Sequence, residues 1–424
     1  MIDSNTVKYW TPAVAAMLCM ALSMGLMTVF GFFVDPVAAD FAVSHATVTT
    51  APVFLMIVPA FTGPIFGRMA DSLPIRWLMW VGIVIAMGSL YQVSQAASIM
   101  AAALWFIGFV IGLGLCGPVV INSLLTKLYL NNSGRALAIA AMGASVAAVL
   151  LPLWIAWLFE HGSWRDALAS LSLLIMVFML IVTTLGIPAN NAALRQVSVE
   201  PTTDDDEVKP AEAVDVDTVG GGSSTSIFRN PSFWLIGIGM AVAFNGALVL
   251  SICYAPHLLN IGLTVTQSAL VVSMGGVGGF VGKTIVAMVV DRYRSQVKWV
   301  AVAVLAVQVL GLVILVSTDI YPVILFAALL VGFGGGAFIP MHAILNSCYF
   351  HDSVVGRVNG AQMPLFLPLG LIGAPLTGYA YDQLGHYYWV WFAIIAALII
   401  ASLLLIRLPA VRERDGVAPA VLAQ

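Results

Sequence analysis

Charge is scarce in this sequence: 9% of the 424 residues are Asp, Glu, Lys or Arg, against roughly 25% in an ordinary soluble domain. That shortage excludes a protein whose main solvent is water. Cysteine is sparse too. Cys19, Cys116, Cys253 and Cys348 all fall inside apolar runs without metal-type spacing, which reads them as small packing residues. A phosphate-binding loop is also missing. GGVGGFVGKT (275–284) has the glycines and terminal Gly-Lys-Thr of one, but the position five before Gly282 is Val277 instead of glycine. The stretch also lies inside an apolar run from Ser268 to Val290, where no strand-to-helix turn of a soluble domain is expected. No metal constellation, nucleophile–base pair or soluble catalytic domain accompanies it, so an enzyme or nucleotide-driven pump is disfavoured and no cofactor is expected.

What the chain does have is hydrophobic length. Hydrophobic residues make up 61% of it, and they gather into twelve runs near 10–34, 48–67, 77–95, 99–126, 136–158, 166–187, 232–256, 268–290, 299–317, 322–349, 358–381 and 387–406. These are numbered here as spans 1 to 12. The predicted fold class is an all-α membrane protein of twelve transmembrane helices. The first run is too long for a signal-peptide core and has no basic leader, so it is expected to stay as span 1.

The basic residues set an expected orientation. With both termini cytoplasmic, Lys8, Arg68, Arg76, Lys127, Arg135, Arg195, Lys209, Arg229, Arg292, Arg294, Lys298, Arg357, Arg407, Arg412 and Arg414 all fall on the cytoplasmic side. Of the remaining two, Arg165 falls outside and Lys283 within a span. The cytoplasmic (inner) membrane is the expected location. The net charge of −3 says little about partners, because acidic residues concentrate in one loop that begins Asp204-Asp205-Asp206-Glu207 and runs into Gly220-Gly221-Gly222. Four segments follow: a six-helix bundle over 1–188, a solvated linker over 189–229, a second bundle over 230–407 and a cytoplasmic tail over 408–424. A shift of 220 residues takes Pro36 to Pro256, Asp71 to Asp291, Gly112 and Gly114 to Gly332 and Gly334, and Tyr129 to Tyr349. That offset indicates a duplicated six-helix unit with a substrate site between the copies.

Three stretches carry a family resemblance. GPIFGRMADSLPIRW (63–77) resembles the loop signature of the major facilitator superfamily. GLGLCGPVVINSLLTKLYLNNSGRALAIAAMGASVAAVLLP (112–152) with GSWRDAL (162–168) is similar to the span 4–5–6 signature of its monocarboxylate porter and oxalate/formate exchanger branches, as GRVNGAQMPLFLPLGLIGAPLTGYAYDQLGHY (356–387) is to their span 11. The resemblance implies the major facilitator fold of two pseudo-symmetric bundles working by alternating access. It also implies a carboxylate-binding basic residue in span 8, eight positions before a polar or acidic one, where this chain has Lys283 and Asp291. Asn131 and Asn132 stand where the family's loop is typically doubly basic.

The residues lead to Lys283 by another path. A charge near the bilayer centre costs about 2.5–3.5 kcal/mol on insertion scales, so it faces a cavity or a partner. No acidic residue lies in the apolar middle of another span to pair with it. Gly275, Gly279 and Ala287 form a small-residue stripe beside it at helical spacing. The bland alternative is a lysine that snorkels to the cytoplasmic face. Oxalate exchangers are implied to carry a second basic residue in span 11, and span 11 here has no Lys, Arg or His, which favours a monoanion. Asn122, His342, Asn245, Tyr254 and Asn346 are candidate hydrogen-bonding neighbours, Asn122 and His342 being one repeat apart; each, like Gln362, also reads as an interhelical polar contact.

Arg68, Asp71, Arg76 and Asp291 are candidate gating residues at the cytoplasmic ends of spans, able to latch in one state and release in the other. Proton-coupled members of the resembling branch use a lysine in span 1 and an acidic residue one turn before the span 8 arginine; here span 1 has no basic residue after Lys8 and the span 8 position is Gly279. His342, Asp35 and Lys283 remain as proton-coupling candidates. The expected function is secondary transport of a small carboxylate, with proton symport ahead of anion exchange, by a monomer in contact with lipid, protons and substrate and with no nucleic acid. An exporter of neutral or cationic compounds on the same fold is the alternative.

Overall fold

The computed structural model describes residues 4–129, 132–188, 225–350 and 352–410. The expected linker (189–229) and tail (408–424) lie mostly outside them, as do Arg195, Lys209, Arg412, Arg414 and Asn131, and the side chains of Lys8, Asp71 and Asp291 are likewise not described.

Among the described residues, twelve helices are long and apolar enough to cross a membrane. Span 1 is Ser4–Asp40, span 3 Ile75–Ser94, span 5 Ser133–His161 and span 6 Trp164–Gly186. In the second half, span 7 is Pro231–Asn260, span 8 Val265–Arg292, span 9 Val297–Val316, span 10 Tyr321–Tyr349, span 11 Asp352–Leu384 and span 12 Tyr388–Ile406. With every other turn on one side, residues 4 and 410 share a face, called here the terminal face; the opposite one is the far face.

Two spans are broken, and proline explains both. Span 2 is a short helix, His45–Thr49, followed by Ala51–Ser72, because Pro52 has no N–H to give the carbonyl of Val48. Span 4 divides into Ile99–Cys116 and Pro118–Leu128. There Gly117 is extended at φ −95°, ψ −156°, as a residue before proline tends to be. Serine caps set other starts: Ser98 accepts from the Ala101 N–H, and Ser163 with Asp166 forms a capping box at span 6.

The two halves pack alike. Span 1 lies against 5 and 6 as 7 lies against 11 and 12; span 4 lies against 2 and 3 as 10 lies against 8 and 9; and 3 meets 6 as 9 meets 12. Between the halves, span 1 meets 7, span 2 meets 11 and span 5 meets 8. The offset of 220 does not hold in the glycine-rich parts of spans 4 and 10. Gly112 abuts Ala86 on span 3, and the glycine that abuts span 9, at Gln308, is Gly334; both partners are related by 222. Asn122 and His342 therefore do not occupy equivalent packing positions.

Candidate functional site

GGVGGFVGKT sits where three spans converge. Added Cβ atoms at Gly278 and Gly282 would overlap the carbonyls of Leu329 and Phe333 on span 10, and one at Gly276 would overlap the Ala148 backbone on span 5. Gly275 and Gly279 lie against Gly332 and Gly336 of span 10. The expected small-residue stripe is thus mainly a packing seam, while Ala287, its last member, is exposed. Absence of side chains lets span 8 approach both neighbours, and that approach fixes where Lys283 points.

Lys283 is half-buried and its Nζ donates to Ser145 Oγ at 2.8 Å. Ser145, 4% exposed, belongs to span 5 in the other half. Along span 8 the lysine stands nine residues from Arg292 and eighteen from Val265, about 14 Å and 27 Å at 1.5 Å per residue. A snorkelling lysine would reach along its own helix to the terminal face; this one reaches across the seam between halves. Among the described residues no carboxylate lies within ion-pair distance of it.

His342, Asn346, Gln362 and Asn359 form a second polar group, joining spans 10 and 11. Gln362 Nε2 donates to the Phe233 carbonyl at 2.8 Å, which orients its Oε1 as an acceptor. That oxygen is 2.8 Å from His342 Nε2 and accepts from Asn346 Nδ2 at 2.7 Å. The imidazole therefore carries its hydrogen on Nε2. Asn346 Nδ2 spends its other hydrogen on Asn359 Oδ1 at 2.6 Å, so its 3.2 Å approach to His342 Nε2 sets two donors side by side. His342, Asn346 and Gln362 are buried and Asn359 is half-buried, and among the described residues no hydrogen bond links the group to Lys283.

The other candidates stand apart. Asn245 donates to the carbonyls of Ala241 and Phe366, its buried Oδ1 has no partner among the described residues, and it lines a groove of about 600 Å³ between spans 7, 11 and 12. Tyr254 packs edge-on to Trp391 of span 12 and its buried hydroxyl has no partner among the described residues. Asn122 is exposed, with no side-chain partner among them.

At the terminal face Arg76 donates to the Ile187 carbonyl at the end of span 6, inside its own half. Among the described residues it is a tie within the first bundle and makes no contact with the second. Arg68 is exposed. Sequence reasoning missed Lys127, whose Nζ donates to the Ala70 carbonyl at 2.9 Å and ties span 4 to the span 2–3 turn.

The far face is closed by contacts that sequence spacing did not reveal. Thr266 of span 8 donates its hydroxyl to Glu160 of span 5, and Asp382 of span 11 accepts the backbone N–H groups of His45 and Ala46 at 3.0 Å each.

Comparison with known proteins follows the same outline. The family model described as "Major Facilitator Superfamily" matches residues 16–370. Monocarboxylate transporter 13 of Bos taurus is similar at 24% identity, over 94% of this chain and 89% of its own. Monocarboxylate transporter 11 of Mus musculus is similar at 23%, over 89% and 82%. Among solved structures, the nucleoside transporter NupG superposes with a TM-score of 0.70 at 14% identity, over 94% of this chain and 98% of its own. A bacterial homolog of the human lysosomal transporter Spinster, inward-facing and unoccupied, superposes with a TM-score of 0.66 at 16%, over 94% and 95%.

Proposed function

Because the chain belongs to the Major Facilitator Superfamily, and so is a secondary transporter that moves a small molecule by alternating access, we propose that its cargo is a small organic anion, a monocarboxylate, seated at Lys283. One observation carries this reading: a half-buried cation at the seam between the moving halves has a neutral hydroxyl as its protein partner and no carboxylate among the described residues. An arriving carboxylate supplies the missing charge. The likeness to proteins named as monocarboxylate transporters supports the same class.

A single cation argues for a monoanion, since span 11 has no Lys, Arg or His to meet a second carboxylate. A lysine gives a compact point charge in place of a bidentate fork, so discrimination among carboxylates falls to neighbouring polar groups. His342, Asn346, Asn245, Tyr254 and Asn122 are proposed to contribute as the halves rock. An exporter of cations on this fold needs an acidic lining, and the seat described here is basic.

Proton symport is the proposed coupling, with His342, Asp35 and Lys283 as carriers. Counting charge moved per substrate in wild type and His342→Gln tests the histidine's share; unchanged stoichiometry removes it. Arg68, Asp71 and Asp291 are proposed to latch the terminal face when the far face opens. The terminal face is proposed to be cytoplasmic, in an inner membrane, since Arg68, Arg76, Lys127, Arg292, Lys298 and Arg357 gather there.

Uptake of labelled mono- and dicarboxylates into proteoliposomes, with and without an inward proton gradient, tests cargo and coupling together. Gradient-driven uptake of a monocarboxylate but not a dicarboxylate is expected. Uptake of neither class contradicts the proposal.

A further inference from the structure

The far face holds a titratable cluster that the substrate seat does not use. His45, first residue of the short helix of span 2, stands between carboxylates from opposite halves. Its Nδ1 is 2.8 Å from Oδ1 of Asp382 on span 11, and its Nε2 is 3.3 Å from Oδ1 of Asp35 on span 1. Asp35 Oδ1 is buried and accepts no hydrogen bond among the described residues. The other groups facing the cluster are neutral or already paired. The Tyr381 ring meets the imidazole at 4.5 Å between centroids and stacks on Tyr387, while the Tyr381 hydroxyl accepts from Asn260. On the same face Asp40 is paired with Arg165 at 2.7 Å.

Both imidazole nitrogens face carboxylate oxygens, but a neutral ring carries one N–H. With both aspartates ionised, a neutral His45 would set a nitrogen lone pair against a buried carboxylate oxygen. The closed arrangement is satisfied by one further proton, carried on the ring or on Asp35. We infer that His45, Asp35 and Asp382 form a proton-binding latch, which takes up one proton as the far face closes and releases it as the face opens. The inference rests on the alternating-access reading and on the orientation proposed above, and is independent of the cargo. Water supplies the proton directly, because the Asp35 side chain is 37% exposed although its Oδ1 is buried.

The sign follows from linkage. The closed form holds one proton more than the open form, so a fall in pH favours closure and a rise favours opening. Opening also separates His45 from Asp382, since the two belong to different halves; the proton is bound only where both halves contribute.

The test needs no substrate. Spin labels at Ala97→Cys and Asp319→Cys, in exposed far-face turns of the two halves, report closure as a distance distribution in lipid nanodiscs. In wild type the closed-to-open ratio is expected to fall as pH rises from 6 to 8, by up to about tenfold per pH unit. His45→Gln is expected to make it independent of pH. Asp382→Asn is expected to give the same flattening; its amide oxygen keeps one of the two backbone donors, and it serves if His45→Gln does not fold. A wild-type ratio that ignores pH, or a pH response that survives either substitution, overturns the inference. Failure of the carboxylate proposal would leave these distances unchanged.

Discussion

Lys283 and Ser145 join the two halves of this transporter through one hydrogen bond of 2.8 Å between span 8 and span 5. A cation and a neutral hydroxyl make a weak closure for such a seam. An anion entering there meets a charge already held in place by packing, because glycines on span 8 bring its backbone against spans 10 and 5. In the proposed site the serine would fix direction and the lysine supply attraction.

Ser145→Ala removes the orienting partner without touching the charge. A single hydrogen bond of this kind is worth about 0.5–1.5 kcal/mol net, so KM for the transported carboxylate is expected to rise roughly two- to tenfold with maximal rate little altered. Initial-rate uptake over a range of substrate concentrations checks it; an unchanged KM would mean that Ser145 does not position the lysine.

Gly282→Ala places a methyl against the Phe333 carbonyl, whereas Gly279→Ala meets the Gly332 carbonyl at 3.3 Å and needs only a small adjustment. Overpacking of the first kind costs about 1–3 kcal/mol. The Gly282 variant is expected to melt well below wild type and the Gly279 variant close to it. Thermal unfolding in detergent gives the order, and equal losses would contradict the packing account.

Gln362→Leu leaves His342, Asn346 and the Phe233 carbonyl without a shared partner. Unsatisfied buried groups cost about 1–3 kcal/mol each, so lowered thermal stability is the expected result, with KM changed less than by Ser145→Ala. A normal melting temperature would show that the group is not structural.

Arg76→Ala should act through stability, since the guanidinium holds the last carbonyl of span 6 in its own half. Reduced folded yield with unchanged KM is expected. A large change in the ratio of inward- to outward-open protein would restore Arg76 to the gate.

The spans were legible because a bilayer demands about 20 apolar residues for each crossing, and the breaks at Pro52 and Pro118 lay in plain view as prolines within two of those runs. Lys283 was legible for the same reason: a charge is conspicuous among apolar neighbours. Its partner was not, because Ser145 is one serine among many and only the approach of spans 5 and 8 selects it. His45 and Asp382 escaped notice because they lie 337 positions apart at span ends, where polar residues are ordinary. Repeat spacing misled at spans 4 and 10, where glycine seams tolerate a slip of two residues that landmark counting smooths over. The tie from Arg76 to Ile187 was not legible, because charge at a span end does not show which carbonyl it reaches.

The most direct test of the account is uptake and equilibrium binding of a transported monocarboxylate by wild type, Lys283→Ala and Lys283→Arg, each shown to be folded by its thermal transition. The account predicts that Lys283→Ala abolishes both binding and uptake, and that Lys283→Arg retains binding with altered preference among carboxylates. Full uptake by folded Lys283→Ala would contradict it, and would leave GGVGGFVGKT as a packing seam whose lysine serves only to meet Ser145.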